Sequence, residues 1–398
     1  MTVHSGRWTL EDRLEQGLRE LPFEVPRGTA SVTVELSFEG GVIDLGCHGP
    51  DGFRGWSGGA RRRFTIGAGW ATPGYLPGDL EPGLWHVWLG LHRIPLDGVP
   101  YEVTVTTSGT PPERPDEAPP PRPERPPRRA LPAPRGMRWL AGDLHSHTVH
   151  SDGALTVHEL ACLAASRGLD YLAVTDHNTV SHHPELPAAE AHAGVLLLPG
   201  QEVTTDLGHA NVFGDTGWID FRAPSAGWAA SAAARGGLMS VNHPLSGDCA
   251  WRRPLPPEYR PRLAEIWHSS WWDRRWGAPL AWAQLWRPEG VVPLGGSDFH
   301  DPAQAKLLGE PVTWVLAEGD DVLGGLAAGR TAVSAGLGAP VLLRVAGELT
   351  ALGAAGTVLV GPDGRRTAVR DDRVRMPARG TGMHRLETHE NEVIALCG

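Results

Sequence analysis

Between Trp139 and His300, apolar runs repeatedly end in a histidine or a carboxylic acid, and helix-forming stretches separate the runs. Alternating strand and helix patterns of this kind are typical of chains whose strands close into a barrel. The C-terminal ends of barrel strands share one face, so polar residues at those ends converge on one pocket. The polar residues at the ends of these runs are His145, His147, Asp176, His177, Glu202, His243, Asp298 and His300.

A stretch rich in proline, arginine and glutamate divides the chain at residues 108–136 and predicts an extended linker, because it can form neither a core nor a sheet ladder. Before it, Gly- and Pro-rich turns separate short alternating apolar runs. These runs predict an antiparallel β-sandwich domain over residues 1–107, which opens with a helix over Thr9–Glu20. After the linker we predict a barrel domain over residues 137–310, and then the end of the barrel and a β-rich tail over residues 311–398.

Several elements of the predicted barrel have recognisable ends. Thr156 and Glu159 have the spacing of a capping box, which predicts a helix over Thr156–Arg167. The predicted strands are Trp139–His147, Leu169–Asp176, Gly194–Glu202, Leu238–His243, Glu265–His268 and Val291–Ser297.

The charge and cysteine content limit the classes of protein to consider. A net charge of −10 argues against a protein that coats nucleic acid or an anionic membrane. The four cysteines are unpaired in sequence and predict free thiols in a reducing compartment. The N-terminus lacks an apolar signal segment, and the longest aliphatic run is too short to cross a bilayer, so we expect a soluble cytoplasmic protein.

The segment GDLHSHTVHSDG, residues 142–153, is the strongest local indication of a metal site. His145 and His147 are two residues apart at the end of a predicted strand, so both imidazoles would point to one side. Asp152 follows in a Ser-Asp-Gly turn, where it is either a further ligand or only a turn residue. Twelve of the 18 histidines fall between His145 and His300, which needs an explanation beyond ordinary surface histidines.

Imidazole and carboxylate ligands without thiolates suit Zn, Mn or Fe. Water bound to such an ion has a pKa of about 7, so it can act as a hydroxide nucleophile near neutral pH. The sequence contains no G-x-S-x-G elbow, no Walker A motif and no convincing G-x-G-x-x-G, so no other catalytic apparatus competes.

The motif set GDLHSHTVHSDG, VTDHN, GQEVTT, VNHP and GGSDFH resembles the PHP (polymerase and histidinol phosphatase) superfamily. With FRGWSGGARRRF, ATPGYLPG and GRTAVSAG, the chain more closely resembles the CehA/McbA-like metallohydrolases of that superfamily. The resemblance implies an α/β fold: a distorted (β/α)7 PHP-type barrel with an N-terminal antiparallel β-sandwich and a β-rich C-terminal tail. It also implies two or three divalent metal ions, which would be Mn, Fe or Zn.

The resemblance assigns ligands to each ion. The first ion would be held by His145, His147, Glu202 and Asp298. Glu202 would bridge to a second ion held by His209 and His243. The third ion would be held by Asp152, His177 and His300. Glu202, Asp298 and His300 are the predicted catalytic residues.

For several other residues the sequence allows two different roles. Asp176 is either a ligand or a residue that orients His177 and its loop, and His268 is a ligand or a substrate contact. The tryptophans between Trp267 and Trp286 either fill a core or line a substrate pocket. The pairs Arg252-Arg253 and Arg274-Arg275 either bind phosphate or lie on a solvated face. We expect surface or helix positions for His150, His158, His182, His183 and His192.

The predicted function is that of a metal-dependent hydrolase that uses a metal-bound hydroxide, most simply a phosphoesterase acting on small phosphomonoesters or phosphodiesters. One alternative is a carbamate, ester or amide hydrolase, since the same hydroxide can attack a carboxyl-type carbon. A second alternative is a non-catalytic, metal-stabilised binding module. The expected partner is a small anionic or ester substrate, with no membrane and no stable nucleic-acid partner.

Overall fold

The computed structural model describes residues 1–115, 118–271 and 279–398. The chain forms two compact units, and each is made of more than one segment. The first unit comprises Met1–Pro119, Thr148–Gly153 and Asp176–Pro184, and the second comprises Pro120–His147, Ala154–Thr175 and Glu185–Gly398. Two short segments of the predicted 137–310 domain therefore belong to the first unit. The predicted domain boundaries themselves stay a prediction.

The first unit is built mainly from antiparallel strands. Its elements are β1 (Thr2–Trp8), α1 (Leu10–Glu15), β2 (Leu18–Val25), β3 (Ser31–Phe38), β4 (Val42–Gly49), β5 (Gly52–Gly58), β6 (Arg63–Gly67), β7 (Gly83–Arg93) and β8 (Val99–Ser108). They form two four-stranded sheets, in the orders β1-β8-β3-β6 and β2-β7-β4-β5. Side chains from both sheets, such as Val34 of β3 and Val87 of β7, share one hydrophobic core.

Alternating burial accounts for the strands of this unit. In β2, Leu21, Phe23 and Val25 are buried while Glu20, Pro22 and Glu24 between them are exposed. Successive side chains of a strand point to opposite faces, so this alternation places every second residue in the core.

The predicted helix over Thr9–Glu20 is wrong in length. Its capping box is present, with Thr9 Oγ1 accepting a hydrogen bond from Asp12 N at 3.2 Å, but the helix ends at Glu15. Leu18 and Leu21 belong to β2, which pairs with β7 and buries every second residue from Leu21 to Val25 in the core.

The second unit contains the strand and helix series that the sequence predicts after the linker. Its strands are β9 (Met137–Asp143), β10 (Tyr171–Val174), β11 (Leu196–Thr205), β12 (Gly208–Phe213), β13 (Leu238–Val241), β14 (Leu263–His268), β15 (Val292–Gly296), β16 (Val312–Glu318), β17 (Thr331–Ser334), β18 (Val341–Val345), β19 (Glu348–Leu352), β20 (Val358–Val360), β21 (Arg366–Ala368), β22 (Arg373–Pro377), β23 (His384–Glu387) and β24 (Val393–Cys397). Its helices are α2 (Val157–Ser166), α3 (Leu186–Ala193), α4 (Ser225–Ala234), α5 (Leu280–Trp286) and α6 (Val322–Ala327). Short 3-10 turns of the chain lie at His183–Glu185, Gly247–Cys249 and Pro257–Tyr259.

One large sheet organises the second unit. Its strand order is β15-β14-β13-β12-β11-β10-β9-β16-β17-β24-β23-β20-β21, and a smaller sheet has the order β18-β19-β22. An isolated parallel bridge pairs Ser146, just after β9, with Phe299, just after β15. This bridge links the two ends of the run of seven strands from β15 to β9.

At β9 both faces of this sheet are buried. In β9, Trp139 and Ala141 belong to the core that includes Leu160 of α2, while Leu140 belongs to a separate core with Tyr171 and Leu294. Parallel strands that are covered on both faces carry nearly continuous apolar sequence, which explains why the runs were recognisable.

One strand of the series departs from the predicted order. β12 follows β11 after a tight turn at Asp206 and Leu207 and pairs antiparallel with both β11 and β13. The sequence predicts no strand between Gly194–Glu202 and Leu238–His243. The hairpin places His209 opposite Thr204 on β11.

The described tryptophans between Trp267 and Trp286 belong to a core. Trp267, Trp271 and Trp286 are buried together with Trp228 and Trp251. Arg252 donates hydrogen bonds to backbone carbonyls, while Arg253 donates to Thr205 Oγ1 at 3.1 Å and lies over the Trp228 ring. The pair Arg274-Arg275 lies outside the described residues. Among the described residues, none of the helices is both long enough and apolar enough to cross a membrane.

Candidate metal centre

Hydrogen bonds just beyond β9 and β15 hold the first motif in place. His147 N donates to Phe299 O at 2.9 Å, and Asp143 Oδ1 accepts from both His145 N and Ser297 N at 3.1 Å. β9 ends at Asp143, earlier than predicted, but His145 and His147 flank the bridged residue Ser146, so both imidazoles still lie on one side. Their ring centroids are 5.1 Å apart.

The four residues predicted for the first ion lie together in the second unit. We call His145, His147, Glu202 and Asp298 the central cluster, and their ligand atoms lie within 4.8 Å of one another. His145 Nε2 is 3.3 Å from both Glu202 Oε1 and Asp298 Oδ1. His147 Nε2 is 3.1 Å from Asp298 Oδ1 and 3.5 Å from Glu202 Oε2.

The β11–β12 hairpin brings His209 to Glu202. The two residues are diagonal neighbours on one face of the hairpin, and His209 Nδ1 lies 3.1 Å from Glu202 Oε1. His243 follows β13, and its Nε2 lies 3.3 Å from the same carboxylate oxygen. Asn242 Nδ2 donates to that oxygen at 2.8 Å and so fixes the orientation of the carboxylate. The residues predicted for the second ion therefore meet around Glu202.

The residues predicted for the third ion are distributed over both units. In the first unit, His177 Nε2 lies 3.6 Å from Asp152 Oδ1. In the second unit, the His300 ring stacks on His147 with centroids 4.2 Å apart, and its Nδ1 donates to Asp298 O at 2.8 Å. Whether these residues share an ion stays a prediction.

Asp176 orients its own loop. Its carboxylate accepts hydrogen bonds from Thr148 N at 2.9 Å, Thr148 Oγ1 at 2.7 Å and Ser151 Oγ at 2.6 Å. It also lies 3.1 Å from His182 Nδ1. Of the two readings of Asp176, these contacts support the orienting one.

Two of the histidines expected at the surface or in helices are buried instead. His150 Nδ1 is 2.7 Å from Ser181 Oγ, and His182 contacts Asp176. Both belong to the first unit, where loop residues 148–153 and 176–184 pack together, so local loop packing rather than solvent surrounds them.

Sequence reasoning missed Glu265, which lies inside the apolar run LAEIWH. Glu265 Oε1 is 2.7 Å from His145 Nδ1, and its Oε2 accepts a hydrogen bond from His243 N at 2.8 Å. A carboxylate on the far nitrogen of a metal-binding histidine fixes the tautomer and the ring orientation. A charged residue within a fully buried strand is the sequence signal that could have identified it, since lone charges are rarely buried.

Asp298 has two different environments at its two oxygens. Oδ1 faces His145 and His147, while Oδ2 lies 3.4 Å from His268 Nε2 and 3.1 Å from Lys306 Nζ. His268 forms a close group with His145, His243 and Glu265. Asp298 and His243 both have positive φ angles, +52° and +26°, a strained conformation that is frequent at functional sites.

The charges of the cluster shift its pKa values strongly. Burial alone would lower the pKa of His145, but Glu202, Glu265 and Asp298 together raise it well above its ordinary value. Burial alone would raise the pKa of Asp298, but His145 and His147 hold it well below its ordinary value. The carboxylates thus create a buried site that favours positive charge.

The donor set fits a divalent ion. Its donors are imidazole nitrogens and carboxylate oxygens without a thiolate, which is the chemistry that Zn, Mn and Fe accept. Within the described residues, the buried His145 Nε2 forms no hydrogen bond of acceptable geometry although two carboxylate oxygens lie 3.3 Å away. A cation between these atoms would satisfy all three.

Comparison with known proteins finds a family model that matches part of the chain. Residues 143–234 match the PHP domain family. The match includes His145, His147, Glu202 and His209.

Two characterised relatives match a shorter segment. The chain is 43% identical over 70 residues to a 3',5'-nucleoside bisphosphate phosphatase of Chromobacterium violaceum, covering 18% of this chain and 25% of that protein. It is 38% identical over 64 residues to a 5'-3' exoribonuclease of Haemophilus influenzae, covering 16% of this chain and 23% of that protein. The chain therefore spans about a quarter of the length of these relatives.

One solved structure is similar over most of the chain. It is a two-domain protein from Bacteroides vulgatus containing a predicted PHP-like metal-dependent phosphoesterase. Its sequence is 17% identical, and the match covers 69% of this chain and 91% of that chain with a TM-score of 0.42.

Proposed function

We propose that this protein is a metal-dependent hydrolase that cleaves phosphoesters of small molecules or short nucleotides. The observation that carries the proposal is the central cluster, whose two imidazoles and two carboxylates offer ligand atoms within 4.8 Å of one another. The PHP domain match over residues 143–234 supports it. The short similarities to a bisphosphate phosphatase and an exoribonuclease favour phosphorus over carbon as the centre attacked.

We propose two or three divalent ions, Mn, Fe or Zn, as the cofactor. His145, His147, Glu202 and Asp298 would hold the first, and Glu202 would share the second with His209 and His243. When bound, the ions supply Lewis-acid activation of water and of the substrate oxygen. The third ion at Asp152, His177 and His300 stays a prediction from the resemblance.

The protein residues around these ligands would keep them in place. Glu265 orients the His145 ring, and Asn242 fixes the Glu202 carboxylate by the hydrogen bonds described above. Asp143 ties the segment of His145 to Ser297 and to Gly309, whose N donates to Asp143 Oδ2 at 2.8 Å. Ligand side chains that are already oriented by such hydrogen bonds lose little conformational freedom when an ion binds.

We also propose the finer fold that the resemblance implies. The run of strands from β15 to β9 would be a distorted (β/α)7 barrel of the CehA/McbA-like type, which the bridge between Ser146 and Phe299 supports. The two sheets of the first unit would be a β-sandwich, which their shared core supports. The cytoplasmic location and the absence of membrane or stable nucleic-acid partners stay predictions.

The test is a substrate screen on the full chain. Purified protein is analysed for bound metal, reconstituted with Mn, Fe or Zn, and assayed on phosphomonoesters, phosphodiesters and nucleoside bisphosphates beside aryl carbamates, esters and amides. We expect phosphate or nucleotide release that His145→Ala abolishes. His389→Ala is the matched control, because the His389 side chain is 88% exposed and distant in sequence from every predicted ligand.

The screen separates the alternatives. Turnover of carbamates, esters or amides without turnover of any phosphoester would establish the carboxyl-type hydrolase instead. No turnover with any metal, together with a partner-binding activity that is lost on chelation, would establish a non-catalytic module.

A further inference from the structure

Lys306 is the only lysine in the sequence. The other 35 of the 36 lysine and arginine residues are arginines, so lysine is strongly depleted in this chain. The single ammonium side chain nevertheless lies at the central cluster, with Nζ 3.1 Å from Asp298 Oδ2.

The loop that carries Lys306 is held at both ends. Before it, Ala154 N donates to His300 O at 2.8 Å. After it, Leu308 is buried and Gly309 N donates to Asp143 Oδ2 at 2.8 Å. The position of Lys306 beside Asp298 is therefore set by the loop as well as by the ion pair.

Lys306 lies on the side of Asp298 that faces away from the histidines of the first ion. Asp298 Oδ1 faces His145 and His147, while Oδ2 faces Lys306 and His268. The Lys306 side chain is 30% exposed, so a solute can reach it. An ammonium has three donors, and Asp298 engages one of them.

We propose that Lys306 binds a non-bridging oxygen of the substrate phosphoryl group and selects anionic over neutral substrates at this centre. This inference rests on the proposed function. A phosphoryl group carries several anionic oxygens, and a compact ammonium binds one of them as a point charge. An uncharged carbamate or ester offers no anionic oxygen in the ground state, so it gains little from the same residue.

The lone lysine permits a direct binding assay. An acetylating N-hydroxysuccinimide ester can modify only Lys306 and the terminal amine, and peptide mass spectrometry measures the two rates separately. We expect inorganic phosphate to slow acetylation of Lys306 in the metal-loaded protein, relative to chloride at equal ionic strength, and to leave the terminal amine unaffected. Equal acetylation rates with and without phosphate would overturn the inference.

Kinetics of Lys306→Met give the second readout. We expect KM for a phosphoester to rise about tenfold or more, because a charge-assisted hydrogen bond is lost, and kinetics on any neutral substrate to change little. Arg167→Met is the matched control, since it removes a cation that pairs with Glu310 of the same loop at 2.9 Å. An unchanged KM with reduced metal content would overturn the inference and show that Lys306 only positions Asp298.

The two proposals fail separately. Phosphoester turnover without phosphate protection of Lys306 would overturn this inference and leave the proposed function standing. Phosphate protection without turnover of any phosphoester would support anion binding by Lys306 and count against the proposed function.

Discussion

Glu265 Oε1 lies 2.7 Å from Nδ1 of His145, and both side chains are buried. The other oxygen of Glu265 accepts from the backbone of His243, so one carboxylate holds residues predicted for two different ions. Removing it would free the His145 ring and leave the segment of His243 without its anchor.

We therefore expect Glu265→Ala to weaken metal binding about 10- to 100-fold, the usual effect of losing the partner of a metal-binding histidine. Titration of the metal-free protein, followed by metal analysis after dialysis, measures the affinity. Glu348→Ala is the control, because Glu348 is an exposed residue of β19. Unaltered affinity in Glu265→Ala would show that His145 keeps its orientation without this carboxylate.

His209→Ala tests the assignment of the second ion. His209 Nδ1 lies 3.1 Å from Glu202 Oε1, and His209 is not a member of the central cluster. We expect the variant to bind one ion fewer per chain and to keep the ion at His145 and His147. Metal counting by mass spectrometry of the native protein decides this, and a variant that binds as many ions as the wild type would exclude His209 as a ligand.

Metal removal should lower the stability of the second unit. Without an ion, the buried Glu202 carboxylate is compensated by histidines and Asn242, and the partly buried Asp298 carboxylate by histidines and Lys306. A ligand present at 100 times its Kd stabilises the folded state by about 2.7 kcal/mol. We expect thermal melting to shift downward on chelation and to recover when metal is restored. A melting curve that is the same with and without chelator would mean that the ions do not bind the folded state preferentially.

The thiols should be unreactive in the folded protein. Burial raises the pKa of Cys47 and Cys397 to about 12, and burial together with Asp248 raises the pKa of Cys249 to about 12. Disulfide-exchange reagents attack the thiolate, so at pH 8 we expect slow reaction of the native protein and rapid reaction of all four cysteines in guanidinium. A fast phase in the native protein would contradict this.

The raised pKa values of the buried thiols determine how the stability of the folded protein changes with pH. The folded-state pKa of Cys47 and Cys397 lies above the ordinary value of 9.0, so the folded state favours the neutral thiols. Their contribution to stability is complete below pH 9 and is lost as the pH rises toward 12. Comparing the free energy of unfolding of the wild type with that of the Cys47→Ser, Cys397→Ser double variant, as the pH is raised, measures this contribution.

Local signals in the sequence predicted much of the second unit. The capping box of Thr156 and Glu159 is present, and α2 spans Val157–Ser166 between these predicted ends. The strand ends predicted that the polar residues share one face, and the family resemblance grouped four of them around one ion; the structure brings these four together as the central cluster. Their role as ligands remains a prediction.

Long-range contacts account for what the sequence did not predict. β12 pairs antiparallel with two neighbours, and its short, glycine-started run has no periodicity that separates it from a loop. Glu265 acts through an imidazole 120 positions away, a relation that only the folded chain creates. The shortened α1 has the same cause, since core positions of β2 override the local helical spacing.

The composition of the sequence alone could have drawn attention to Lys306. A residue type used once in 398 positions is conspicuous, whereas the arginine pairs were the phosphate-binding cations predicted as one interpretation of the sequence. Neither described Arg252 nor Arg253 contacts the central cluster in the structure, whereas Lys306 does.

A protease that cuts only after lysine can therefore cleave this protein at one peptide bond, giving fragments 1–306 and 307–398. That bond lies between the Asp301 turn and the Gly309 anchor on Asp143. Proteases cut segments that open locally, so the rate of appearance of the two fragments reports on local opening of this loop. The single lysine therefore makes proteolysis a probe of the loop beside the candidate metal centre.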